Sequence, residues 1–181
     1  VDKFQFVYNE GLSGAQIAWD WVNLNGMPRP LIIDYIGDRD LFTFKMSNSR
    51  AICKAIFVDD MAGGFAKLTA NSYIDDFDTI AARGEAYLTY EALQVKMLSS
   101  YARKAYIVTN VGGELATCKV KVVNTSVLQS EVGEAIMKTA EPDIDMAIMW
   151  NYVHDKDEIW ASARTTRDSI DLSKIVPTII G

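Results

Sequence analysis

Histidine, cysteine and proline are scarce in this chain: one, two and four in 181 residues. With one histidine, His154, the chain cannot by itself build a multi-histidine metal centre. The setting of that residue, Tyr152-Val153-His154-Asp155-Lys156-Asp157, reads as a hairpin turn and not as a catalytic position. Cys53 and Cys118 stand far apart and in no metal-ligand spacing. Both sit among apolar neighbours and read as small buried hydrophobes, which fits a reducing, cytoplasmic setting. No apolar run approaches transmembrane length and no signal peptide opens the chain, so no membrane partner is expected. No basic block offsets the net charge of −6, which argues against a long nucleic-acid duplex as partner. Glycine-rich phosphate loops, nucleophile elbows, internal repeats and low-complexity tracts are also lacking.

What is present is apolar surface: 49% of the residues are hydrophobic, enough to build a core. Residues 1–7 alternate as a short strand would. Ser13 can cap a helix whose Ala15, Ile17, Ala18, Trp19, Trp21 and Val22 are apolar on most sides, so burial is expected. Tyr8, Trp19 and Trp21 could stack on bases, but their apolar neighbours favour core packing. A second apolar element covers 31–36, and Ser47 or Ser49 can cap a third helix before Gly63-Gly64 breaks the chain. From 72 to 104 the apolar positions recur at helical spacing, with Gly84 as the weak point where a kink is expected. Beyond 104 the period shortens. Strands are expected at 106–109 and 115–123 around a Val111-Gly112-Gly113 turn, then near 144–150 and at 158–165. Helices are expected at 126–140 and 171–180. The pattern predicts an α/β chain in three parts: 1–71, largely helical; 72–104, a linker helix; and 105–181, a mixed sheet covered on one face. The long helix and the apolar first helix could support a homodimer.

Three segments carry chemistry. In 30–42 an apolar run ends at Asp38-Arg39-Asp40. Carboxylates at the end of a buried element need a cationic neighbour, and either a divalent metal or Arg39 could serve. Hard divalent ions prefer carboxylate oxygens, which makes Asp38, or Asp40 two positions on, a candidate ligand. In Ile159-Trp160-Ala161-Ser162-Ala163-Arg164-Thr165, strand alternation puts Trp160, Ser162 and Arg164 on one face. The guanidinium of Arg164 can grip phosphate oxygens bidentately; Ser162 and Arg167 are further substrate-binding candidates. The third segment is Asp171-Leu172-Ser173-Lys174-Ile175.

Together with Asn124-Thr125-Ser126 and Ser130-Glu131-Val132-Gly133, these segments resemble the DHH phosphoesterase superfamily with its DHH-associated C-terminal domain. The resemblance implies that residues 1–71 are the end of a DHH domain and 105–181 a truncated DHH-associated domain. It also implies a metal-bound aspartate in the Asp-Arg-Asp-Leu context and a substrate arginine in the Ser-x-Arg context. Two Mn²⁺ or Mg²⁺ ions would serve hydrolysis of a short oligonucleotide or another small phosphoester. The Asp-His-His motif and the Gly-Gly-Gly-His loop do not occur here, so the resemblance further implies a piece of a longer protein, inactive by itself. A non-catalytic nucleotide-binding or scaffold module that keeps the two-domain shell is the alternative.

Overall fold

The structure, a computed structural model, describes residues 9–23, 26–59, 76–111 and 114–175. The expected strand at 1–7, Tyr8, the Gly63-Gly64 break, Gly112-Gly113 and the end of the last helix lie outside these residues. Two compact units divide the chain, Val1–Tyr90 and Glu91–Gly181.

The first unit contains helices α1 (Gly14–Val22), α2 (Leu31–Asp40) and α3 (Ser49–Asp59), and the start of the long helix α4 (Phe77–Ser100). Ser13 caps α1 as expected, in a reciprocal box with Gln16. Burial of α1 does not follow expectation: Trp21 and Val22 are exposed, and Gln16 is the helix's buried residue. Polar contact decides this. Gln16 Nε2 donates to Asp34 Oδ1 of α2 at 3.1 Å, and Arg29 bridges Asp34 and Asp20. A Cβ at Gly37 would lie 2.5 Å from the Gln16 side chain, so glycine is what lets the two helices meet there.

Tyr35, Ile52, Cys53, Ala55, Ile56, Ile80 and Ala81 form the core of this unit. Gly84 sits against it. The helix runs unbroken through this position. The glycine serves packing instead: a Cβ here would fall 1.8 Å from the Ala51 carbonyl oxygen in α3.

The second unit is a four-stranded sheet in the order β1 (Arg103–Val111), β2 (Glu114–Asn124), β3 (Met146–Val153) and β4 (Glu158–Arg164). The β1–β2 and β3–β4 pairs are antiparallel and β2–β3 is parallel, with helix α5 (Gln129–Thr139) as the crossover. His154–Lys156 form a single 3₁₀ turn between β3 and β4, where the hairpin was expected. Alternation sorts the strand residues onto two faces. Val123, Ala147 and Met149 pack under Val132, Ile136 and Met137 of α5, joined by Val95 and Leu98 from the end of α4. Cys118, Val120, Met146 and Ile148 point the other way and are met by Ile170, Leu172 and Ile175. The sheet is therefore covered on both faces. Leu172 and Ile175 belong to the start of the helix expected at 171–180, which is helical over the described residues 172–175.

The long helix is no free linker. Its first half packs Ile80 and Ala81 into one core and its second half packs Val95 and Leu98 into the other, so the division falls within it, after Tyr90.

Gly84→Ala is expected to destabilise the protein. In an open helix the change would add about 1 kcal/mol of stability through helix propensity. Here the new methyl group meets backbone, and overpacking of that kind costs about 1–3 kcal/mol. Urea denaturation reads the sign, and an alanine variant at least as stable as the parent would refute the close approach of α3 and α4.

Candidate functional site

Asp38 lies at the end of α2 and is buried. Its carboxylate faces the loop that follows. Oδ1 accepts from the Thr43 hydroxyl and from the Lys45 backbone N–H at 2.8 Å, and Oδ2 accepts from the Met46 N–H at 3.1 Å. The Asp38 carbonyl also accepts from the N–H of Thr43 and Phe44. These bonds hold a loop in which Phe42, Phe44 and Asn48 all have positive φ, a costly conformation for residues with side chains. Desolvation by itself would raise the Asp38 pKa. Donors from Thr43, Lys45, Ser49 and Met46 outweigh it and hold the carboxyl well below the usual range. The Ser49 hydroxyl, buried and outside good hydrogen-bond geometry, contributes by its proximity.

This changes the reading of Asp38-Arg39-Asp40. The charge of Asp38 is balanced by hydrogen-bond donors and not by Arg39, which is exposed; Asp40 is exposed too. Among the described residues no group of three His, Cys, Asp or Glu side chains is placed to hold a metal ion. Asp38 has most of its acceptor positions filled by its own loop. No loop signal in the sequence marks this, because the donors are mostly backbone N–H groups, which every residue carries.

The second constellation is better assembled. Ser162 and Arg164 lie on the face of β4 that α5 covers, as the alternation predicts. Ser162 Oγ donates to Gln129 Oε1 at 3.0 Å, and Gln129 Nε2 donates to Asn151 Oδ1 and to the Thr125 carbonyl. Arg164 Nη2 donates to Ser130 Oγ at 2.7 Å, and Nη1 donates to the Ala163 carbonyl. Gln129, Asn151 and Ser130 are partners that sequence reading did not single out individually. Gly133 holds this arrangement close: a Cβ there would lie 2.6 Å from Met149 and 2.8 Å from Arg164 Cγ.

Arg164 is exposed and no carboxylate among the described residues is in ion-pair distance of it. Two of its five N–H donors are in use, which leaves three for a ligand. Beside it is the first turn of α5. Leu128, in the left-handed region, precedes the helix and offers no side-chain cap. The Leu128 carbonyl accepts from Val132, so the N–H groups of Gln129, Ser130 and Glu131 lack intrahelical partners. A helix N-terminus with a free guanidinium and a hydroxyl at its rim suits an anionic oxygen group. The exposed Glu131 carboxylate in the same turn opposes an anion in part.

Arg167 is engaged by other partners. Its Nη1 pairs with Asp145 at 2.8 Å and its Nη2 donates to the Pro142 carbonyl. Asp145 in turn accepts from the Lys119 N–H. Arg167 thus clamps the approach to β3 onto β2 and is not brought to the Arg164 group.

No protein-family model matches the chain, and no solved structure matches it. It is 25% identical over 163 residues to "Uncharacterized protein R106" of Acanthamoeba polyphaga mimivirus. The match covers 90% of this chain and 37% of that relative, so the chain spans little more than a third of the relative's length.

The loop role of Asp38 has a pH consequence. Its folded pKa is depressed, so its contribution to stability is complete above the ordinary value of 3.8 and is lost as pH falls through the folded value. Asp38→Asn should lower the unfolding midpoint at neutral pH and flatten part of the decline in stability below about pH 4. Thermal unfolding at several pH values measures both, and a parallel acid limb in the two proteins would remove Asp38 from this role.

Proposed function

We propose that the unit Glu91–Gly181 binds the phosphate of a short oligonucleotide or another small phosphoester at Arg164, Ser130 and the first turn of α5. The observation that carries this reading is an exposed guanidinium, without a carboxylate partner among the described residues, held at a helix N-terminus by a hydroxyl. Ser162 supports the site from below: it fixes Gln129, and Gln129 ties the start of α5 to Asn151 on β3.

The resemblance to DHH phosphoesterases extends the proposal to a metal-dependent hydrolase in which this unit holds the substrate. Two manganese- or magnesium-type ions would supply an activated water and neutralise charge on the reacting phosphate. Binding and orientation are the roles of this chain's own residues. Arg164 would hold the phosphate by charge-assisted hydrogen bonds, and the N–H groups of Gln129 and Ser130 would add uncharged donors. The alternative, a nucleotide-binding or scaffold module without hydrolysis, is favoured by one observation: the Asp38 carboxylate is engaged by its own loop. Both readings share the phosphate site.

Arg164→Ala should weaken binding of a 5′-phosphorylated dinucleotide by about ten- to a hundred-fold, the usual loss for charge-assisted contacts. Arg164→Lys should recover part of it, since a point charge replaces a planar fork. Because the guanidinium is exposed, the thermal midpoint should move little. Isothermal titration calorimetry with the dinucleotide measures the effect. Equal affinity in the parent and the alanine variant would sink the phosphate assignment.

A further inference from the structure

Trp160 is on the same face of β4 as Ser162 and Arg164, and it takes no part in either core. Half of its surface is exposed, 49%, although an indole is among the costliest groups to leave in water. Its orientation is fixed from two sides. The indole N–H donates to Glu158 Oε2 at 2.9 Å, and the Lys156 ammonium lies 4.5 Å from the ring centroid. Lys156 covers one face of the ring, and the half of the indole that stays exposed is an oriented aromatic surface suited to stacking.

We infer that Trp160 is a stacking platform for a nucleobase whose phosphate is held at Arg164, so that the ligand is a nucleotide or short oligonucleotide and not a simple phosphate ester. The inference rests on the phosphate site proposed above. Two strand residues per step separate Trp160, Ser162 and Arg164, which puts the indole and the guanidinium on positions roughly 13 Å apart. The Arg164 guanidinium is held at Ser130, and a nucleoside of the ligand would bridge the distance between base and phosphate. Asn151, the cross-strand partner of Trp160, presents its side chain at the α5 side through Gln129 and lines the same stretch with amide groups. Aromatic stacking accepts any base, since every base has a flat π face, so the platform gives preference for nucleotides without preference for sequence.

Adenosine 5′-monophosphate, uridine 5′-monophosphate and ribose 5-phosphate, titrated into the full chain by calorimetry, test this. Both nucleotides are expected to bind about ten-fold or more tightly than ribose 5-phosphate, the range that one stacked base contributes. Trp160→Ala should abolish that difference and leave ribose 5-phosphate affinity unchanged, while Trp160→Phe should keep most of it. Arg164→Ala should weaken all three ligands alike. Equal binding of nucleotides and ribose 5-phosphate by the parent protein, still dependent on Arg164, would overturn the platform and leave the phosphate site standing. A nucleotide preference that survives in Trp160→Ala, or a uniform loss for all three ligands in that variant, would also overturn the platform. Absence of binding by all three would overturn both.

Discussion

The seating of α5 on the β3–β4 half of the sheet is the constraint from which the candidate site follows. Val132, Ile136 and Met137 bury against Val123, Ala147 and Met149, and this apolar contact fixes where the helix begins. Gly133 sets how close it can come, because any side chain there would meet Met149 and the stem of Arg164. Once the helix is down, Gln129 and Ser130 stand over Ser162 and Arg164. Burial therefore supplies the free energy, and the hydrogen bonds at the helix start supply the register. Large burial with small polar corrections is the usual division of labour in a domain of this size.

The same logic separates the two aspartate and arginine motifs that the sequence offers. Asp38 and Arg167 are both turned inward and satisfied, the first by backbone donors of a strained loop and the second by Asp145 and the Pro142 carbonyl. Each holds the chain in place. Arg164, three residues before Arg167, is left with free donors at the surface. Charge alone does not distinguish these residues. What distinguishes them is whether the fold has already provided a partner, since a charge already satisfied has less to gain from a ligand.

Much of the architecture was legible from periodicity. The long helical pattern, the change to strand period after Lys104, the helix near 126–140 and the hairpin turn at His154 all have counterparts in the structure. So does the shared face of Trp160, Ser162 and Arg164, because alternation is a property of the strand backbone itself. Readings that failed involved packing between segments. An α1 apolar on most sides was expected to be buried, but its buried residue is the polar Gln16, fixed by Asp34 and Gly37. Gly84 looked like a weakness in a helix and is a contact point for Ala51.

By itself the sequence determined the mixed α/β class, the order of most elements and which side of β4 each residue takes. These depend on local backbone geometry, which a run of residues encodes within its own length. Tertiary structure decided which polar groups are satisfied. The Asp38 carboxylate meets the backbone of Lys45 and Met46, Arg167 meets Asp145 across 22 positions, and Arg164 meets Ser130 across 34. Hydrogen-bond partners of that kind are set by how elements fold back on one another, and no local pattern of residue types specifies them.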